Sequence, residues 1–383
     1  MGLMAYTVLA RRYRSQTFDE VVGQEPIART LRAAIDQGKV AHAYLFCGTR
    51  GVGKTSMARI FAKALNGGSE AADAAIMAGQ DTDVIEIDGA SNRGVDEARE
   101  LIANCIYRPM RGAYKIYIID EVHMLTTPAF NTLLKTMEEP PEHVKFILCT
   151  TEPQKVPATI QSRCQRFDFR TIATAKIAEH IGTVIKGEGL KAEPELLQAV
   201  ARLGNGSMRD ALSLLDRLIA AGEATLTLDL LEQLLGLPDR DLMSNVIDAI
   251  AGGDAAGTLE AADELLGRGV GIDQLLEAMS DRLRDIMVLC ACGSDTPLVE
   301  LSDQARASEI ERSERFDAAA VVHMIALCES VQRSVKSSAA PRALFEAALV
   351  RMAMTEKLAD VTALVAGSTG PITQGGRAGG KKR

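Results

Sequence analysis

The run Gly48-Thr49-Arg50-Gly51-Val52-Gly53-Lys54-Thr55 constrains this chain more than any other stretch, because it matches the pattern G-x-x-x-x-G-K-[ST]. The pattern carries meaning only between a strand and a helix, and both are expected here. Tyr44-Leu45-Phe46-Cys47 is a short apolar run ahead of the glycines. Behind them Met57, Ile60, Phe61, Ala64 and Leu65 recur at helical spacing. In that setting the glycines let backbone N–H groups point at phosphate oxygens, helped by the N-terminus of the following helix. Lys54 is expected to reach the β- and γ-phosphates and Thr55 to place its hydroxyl on Mg²⁺, with Ser56 beside it. The expected ligands are ATP and Mg²⁺.

The pattern around the loop predicts an α/β domain. Val84-Ile85-Glu86-Ile87 reads as a strand ending at Asp88, and Ser91 or Asn92 as the cap of a helix whose apolar face is Ala98, Leu101, Ile102 and Cys105. Lys115–Ile119 is a third strand, nearly all apolar, as expected where helices cover both faces of a sheet. Thr126 or Thr127 caps the next helix, Pro140-Pro141 ends it, and Val144–Cys149 is a fourth strand. Such alternation gives a mostly parallel sheet. From about residue 171 the pattern is of helices only. Faces at Ile177, Ile181, Val184 and Ile185, a start at Pro194, and a break at Gly204-Asn205-Gly206 suggest a small three-helix unit. Further helices follow, with breaks at Gly236, Gly252-Gly253 and Gly293. The expected partition is a nucleotide-binding domain over 1–170, a helical lid over 171–225, an all-α domain over 226–362 and a disordered tail over 363–383.

Acidic and hydroxyl residues at strand ends narrow the chemistry. Asp120, closing the third strand, is placed to hold the Mg²⁺ shell, and Glu121 to orient and deprotonate an attacking water. A helix-capping acidic pair is the blander reading. Thr151, just after the fourth strand, can hydrogen-bond the attacking water or the γ-phosphate, or simply serve the turn before Pro153. Arg163 follows Pro157 and a short helical stretch. It gains interest if a neighbouring subunit's ATP lies opposite, because an arginine supplied in trans can stabilise charge developing on the phosphate.

Composition sets outer bounds. With 47% hydrophobic and 25% charged residues the 383-residue chain is of ordinary globular type, and no apolar run reaches the ~18 residues that cross a bilayer. The N-terminus has no secretory apolar core, so a cytoplasmic location is expected. Seven scattered cysteines without a CxxC pair fit reduced thiols, most of them buried. The net charge of −8 argues against a surface that is basic throughout, though Arg11, Arg12 and Arg14 form a local cluster and Arg93, Arg99, Arg108 and Arg111 lie along another segment.

Taken in order, these pieces closely resemble the AAA+ clamp loaders, specifically the bacterial DNA polymerase III gamma/tau family. The resemblance rests on VVGQE (Val21–Glu25), HAYLFCGTRGVGKTS (His42–Ser56), VIEIDGAS (Val84–Ser91), IIDEVHML (Ile118–Leu125), LLKTMEEPPEHVKFI (Leu133–Ile147), SRC (Ser162–Cys164) and GSMRDALSLLD (Gly206–Asp216). It implies that Arg163 is a trans-acting arginine finger and that Arg209 is a sensor-2 arginine reaching the γ-phosphate from the lid. It also implies that residues near Tyr13 and Val21-Val22 pack around the adenine. By the same resemblance the helical region from about 236 is an oligomerising collar. The partners would be delta- and delta-prime-type subunits in a hetero-pentamer, the sliding clamp and primed DNA, with no membrane, at replication forks on the nucleoid. ATP binding would open the clamp and load it on DNA, and hydrolysis would release it. Arg93 lies in a loop that could face the DNA channel. The family belongs to a DNA-directed DNA polymerase holoenzyme, but nothing in this chain reads as a polymerase site.

Two departures stand out. Family members usually carry a four-cysteine zinc module after the P-loop helix. Here residues 66–80 contain no cysteine, so no structural zinc is expected. The long tau-type C-terminal extension is also missing, as in a gamma-like short form or a truncated chain. The rival functions are a structural clamp-loader subunit that assembles without hydrolysing ATP, or another AAA+ DNA-remodelling ATPase such as a branch-migration helicase. Intact Lys54, Thr55, Asp120, Glu121 and Arg209 argue against the first, and SRC with the helical collar against the second.

Overall fold

Strand β1 (Ala43–Cys47) is buried along its whole length, and its side chains divide by parity. Tyr44 and Phe46 enter one core with Ile116, Ile118 and Ile147, whereas Ala43, Leu45 and Cys47 enter another with Tyr117, Ile119, Phe146 and Leu148. A strand that is apolar on both sides needs a layer on each side. The computed structural model, which describes residues 7–299, 301 and 303–354, supplies both.

The first unit, Met1–Leu228, opens with α1 (Leu9–Arg12) and α2 (Glu25–Asp36). After β1 come α3 (Lys54–Asn66), α4 (Glu70–Ala78), β2 (Val84–Asp88), α5 (Val95–Cys105), β3 (Lys115–Asp120), α6 (Thr127–Glu138), β4 (Val144–Thr150), α7 (Ala158–Gln161) and β5 (Gln165–Asp168). The five strands form a parallel sheet in the order β2-β3-β4-β1-β5. Leu31 of α2 and Met57, Ile60 and Phe61 of α3 fill one face. Leu101 and Cys105 of α5, with Phe130, Leu133 and Met137 of α6, fill the other. Burying a side chain of this size contributes roughly 1.5–3 kcal/mol. The fold is therefore the expected α/β P-loop domain.

The structure corrects several local expectations. Ala64 on α3 is exposed, and Ala58 and Ala62 are buried in its place. Neither Ser91 nor Asn92 caps α5. Ser91 Oγ donates to Asp88 Oδ2 at 2.7 Å and Asn92 Nδ2 to the Asp88 carbonyl at 3.1 Å, and the helix starts only after Gly94. Thr126, rather than Thr127, caps α6. A fifth strand exists where none was expected. β5 reads Gln-Arg-Phe-Asp, four residues with three polar side chains on the sheet edge, so it lacks the apolar run that marks the other strands. Residues 66–80, where the family's cysteines would stand, contain α4, capped by Ser69 Oγ.

The three lid helices are α8 (Thr174–Gly187), α9 (Pro194–Leu203) and α10 (Met208–Ala220). This part is not purely helical, because two-residue strands β6 (Lys191–Ala192) and β7 (Thr225–Leu226) pair in parallel. They are too short to show any period. The N-terminal arm also belongs here: Leu9 N–H bonds Asp216 Oδ2 at 2.9 Å, and Tyr13 Oη donates to Glu188 Oε1 at 2.5 Å.

The second unit, Asp229–Arg383, is helical among its described residues. After α11 (Leu228–Leu235), it contains α12 (Arg240–Ala251), α13 (Ala255–Gly267), α14 (Ile272–Cys292), α15 (Asp303–Ser313), α16 (Ala318–Val335) and α17 (Pro341–Ala353). Leu275, Leu276, Met279, Leu283 and Ile286 run down one side of α14 into a core shared with α12, α16 and α17. Arg282, half-buried and paired with the buried Glu309, ties α14 to α15. The tail expected over 363–383 lies outside the described residues. Among the described residues no helix is long and apolar enough to cross a membrane.

Candidate active site

The parallel sheet brings the ends of β1, β4 and β3 side by side, because β4 separates the other two. Ligands of open α/β sheets bind at such carboxyl ends. Gly48 follows β1, Thr151 follows β4, and Asp120-Glu121 closes β3. The P-loop then turns sharply, with Gly48, Gly51 and Gly53 at φ of +152°, +78° and +99°. A Cβ at Gly51 would fall 1.9 Å from Ser207 Oγ, so the loop lies directly against the start of α10.

Lys54 is buried, and its Nζ donates to the carbonyls of Gly48 and Thr49, each at 2.8 Å. Burial lowers its pKa, opposed by the nearby acids Asp120 and Glu121. Thr55 Oγ1 donates to Asp120 Oδ2 at 2.7 Å. A hydroxyl beside a carboxylate is a set of hard oxygen donors of the kind Mg²⁺ takes. Glu121 sits in the left-handed region, at φ +47° and ψ +46°, and its Oε2 accepts from Thr151 Oγ1 at 3.1 Å. A non-glycine residue held there is strained, and such strain clusters at functional sites.

One cleft gathers most of the residues expected from sequence. Arg50, Gly51, Val52, Gly53, Lys54, Thr55, Ser56, Asp120, Glu121 and Arg209 line one part, with Tyr13, Val21 and Val22 also in the lining. Gly48 and Thr49 take part through the carbonyls that hold Lys54, and Thr151 through Glu121. Arg163 and Arg93 are not brought in. Arg163 lies on the surface, where Nη2 pairs with Glu138 Oε1 at 2.6 Å. Arg93 is exposed and bonds the Ala90 carbonyl.

Sequence reasoning missed Ala10, Arg14, Ser15, Ile172, His180, Met208 and Leu212, which complete the cleft lining. The Arg11, Arg12, Arg14 cluster splits by function of place. Arg12 pairs with Glu188, whereas Arg14 turns into the cleft. Burial lowers the Arg14 pKa, and the neighbouring guanidinium groups of Arg59 and Arg209 lower it further, opposed in part by Glu86. A half-buried cation among like charges calls for an anion. Burial likewise lowers the His180 pKa. No local motif marks these two residues, since each depends on where the N-terminal arm and α8 pack.

A P-loop flanked by strand-end acids, and closed over by a helical lid that supplies an arginine, defines a P-loop ATPase of AAA+ type. Three family models match along the chain: "DNA polymerase III, delta subunit" over 23–173, "DNA polymerase III clamp loader subunit, ATPase lid domain" over 176–224, and "DNA polymerase III subunits gamma and tau domain III" over 226–367. DNA polymerase III subunit tau of Escherichia coli is 42% identical over 78% of this chain and 48% of its own length. The Bacillus subtilis tau subunit is 41% identical over 92% of this chain and 64% of its own. DNA polymerase III subunit gamma of Buchnera aphidicola is 40% identical over 62% of this chain and 68% of its own. The chain belongs to the DNA polymerase III gamma/tau family. It spans about half the length of the Escherichia coli relative.

Proposed function

We propose that this chain is an ATP-hydrolysing motor subunit of a clamp loader, loading a sliding clamp onto primed DNA at the replication fork. The observation that carries the reading is the single cleft in which Lys54, Thr55, Asp120, Glu121 and Arg209 meet, while Arg163 points elsewhere on the surface. All the parts needed to hold and attack a triphosphate are then in one chain, except a cation for the far side of the γ-phosphate.

In this reading Lys54 leaves the carbonyls of its own loop for the β- and γ-phosphates, and the P-loop N–H groups cradle them. Thr55 and Asp120 hold Mg²⁺, which neutralises phosphate charge when bound. Glu121, steadied by Thr151, takes the proton of the attacking water. Arg209 and Arg14 approach the polyphosphate from the lid and the N-terminal arm. Tyr13, Val21, Val22 and their neighbours enclose the base. Arg163 serves the ATP of an adjoining subunit, and Arg93 touches DNA. The chain works as residues 1–170, 171–225 and 226–362, the last assembling with delta- and delta-prime-type subunits in a cytoplasmic pentamer. No structural zinc is part of this reading.

The test is reconstitution with loader partners, clamp and primed DNA. Glu121→Gln should bind ATP normally and lose at least about a hundredfold in turnover. Arg163→Ala should lose comparable turnover in the assembly and leave nucleotide binding by the isolated chain unchanged. Full-rate hydrolysis by the isolated wild-type chain would overturn the shared-site reading, and full-rate hydrolysis by the Glu121 variant would remove its base. Clamp loading intact in both variants would favour a structural subunit.

A further inference from the structure

His123 stands two residues beyond Glu121 in the short turn Val122–Met124, with a side chain only 6% exposed. Its Nδ1 lies 3.1 Å from Thr150 Oγ1 and 3.4 Å from Glu121 Oε2, and its Nε2 lies 3.4 Å from Glu152 Oε1. Glu152 is itself fixed twice. Its N–H donates to Thr150 Oγ1 at 3.0 Å, and its carboxylate accepts Lys155 Nζ at 2.8 Å. The imidazole thus lies between the carboxylate in the cleft and an acidic residue at the exposed turn Pro153–Lys155.

Glu121 needs such a brace. Its backbone is in the left-handed region, and its side chain has Thr151 on one side. A carboxylate that must accept a proton along one direction works only while its orientation is held, and small misplacements cost large factors in rate. Core packing alone would call for an apolar ring at this buried position, not one set between two acids.

We propose that His123 is a positioning residue for hydrolysis: its ring, hydrogen-bonded through Nδ1 to Thr150 Oγ1, closes the side of the Glu121 carboxylate 3.4 Å away, with Nε2 facing Glu152 at 3.4 Å. This rests on Glu121 being the base. It adds a link from the cleft to the surface turn 152–155, so that Glu152 and Lys155 influence turnover without touching nucleotide.

The experiment compares His123→Leu, His123→Asn and Glu152→Gln in the chain assembled with its loader partners, clamp and primed DNA. ATPase rate and labelled-ATP affinity are both read. His123→Leu should lower kcat between about tenfold and a hundredfold with affinity within about twofold. His123→Asn, whose amide nitrogen can stand where Nδ1 does, should regain most of the rate. Glu152→Gln should lose a few-fold. In a Glu121→Gln background His123→Leu should cost nothing further. Turnover within twofold for His123→Leu, no recovery with Asn, or an equal loss in the Glu121→Gln background would each overturn the proposal. An active Glu121→Gln single variant would instead sink the reading of Glu121 as base, so the two failures are told apart.

Discussion

The two ends of the cleft are built in different ways. The end proposed for the phosphates is nearly one stretch of chain, Gly48–Ser56, completed by Asp120-Glu121 from a strand end. The end proposed for the base is collected from the N-terminal arm (Ala10, Tyr13, Ser15), the turn at Val21-Val22, Ile172, His180 on α8, and Met208 and Leu212 on α10. A contiguous loop gives strong, general phosphate affinity that any sequence reader can find. A surface gathered from distant segments exists only when arm, sheet and lid are docked. Occupying it therefore couples nucleotide binding to the position of the lid. Gly51 marks the seam, since its missing Cβ lets the loop touch Ser207 of the lid.

The largest expected effect lies at the phosphate end. Lys54 is the buried cation of the loop, and Lys54→Ala removes both its charge and its reach. Binding of labelled ATP should fall by at least about a hundredfold, since a charged hydrogen-bonding group lost from a buried site costs roughly 3 kcal/mol or more. The melting temperature without nucleotide should change little, because among the described residues the hydrogen bonds of Lys54 go to carbonyls of its own loop. A variant that still bound ATP tightly would mean that the base end dominates, reversing the comparison.

Arg14, from the N-terminal arm, tests the phosphate end again on smaller stakes. It lines the cleft, its side chain makes no hydrogen bond or ion pair among the described residues, and burial beside Arg59 and Arg209 lowers its pKa. An anion arriving there relieves that repulsion. Arg14→Leu should weaken ATP binding by about tenfold and ADP binding by less, if the guanidinium meets the polyphosphate rather than the base. The same change should leave the apo chain as stable as before, or slightly more so, because one half-buried charge without an ion-pair partner among the described residues has gone. An unchanged ATP affinity, measured by titration calorimetry, would assign Arg14 to solvent.

The unevenness explains what could be read from sequence. Apolar strands β1, β3 and β4 were legible because both their faces are buried, leaving runs such as Tyr117-Ile118-Ile119. So were Lys54, Thr55, Asp120 and Glu121, whose spacing along the chain is fixed by a strand-loop-helix turn or a strand end. β5 escaped because an edge strand needs little apolar surface, and its four residues carry mostly polar side chains. Asn92 and Ser91 looked like caps but serve Asp88, since capping residues also satisfy tight turns. His180 had no local signature, and Arg14 showed only as one of three clustered arginines, with nothing to mark which of them faces the cleft. Tyr13, Val21 and Val22 were reached only through resemblance to a family, because a cleft lining gathered from distant segments leaves no pattern in one sequence.

The smallest effect sharpens the base end through pH. His180 lines the cleft that Tyr13 and Ile172 also line, and burial holds its pKa below the 6.5 of a free imidazole. The sign follows from which state takes the proton first. On acidification the unfolded chain protonates His180 near 6.5, whereas the folded chain stays neutral until a lower pH. Stability from this residue is therefore complete above about 6.5 and declines as pH falls toward the folded value, by at most about 1.4 kcal/mol per pH unit. Arg14, Arg50, Lys54 and Arg209 share the cleft with it, and Asp120 and Glu121 are the acids there. His180→Gln should flatten the acid limb of the melting-temperature profile by up to one proton's worth. A saturating nucleotide should steepen the wild-type limb and not the variant's, because a bound base would desolvate the imidazole further. Parallel profiles with nucleotide present would mean that His180 stays in water while the base is bound, and the base end would then be apolar contacts alone.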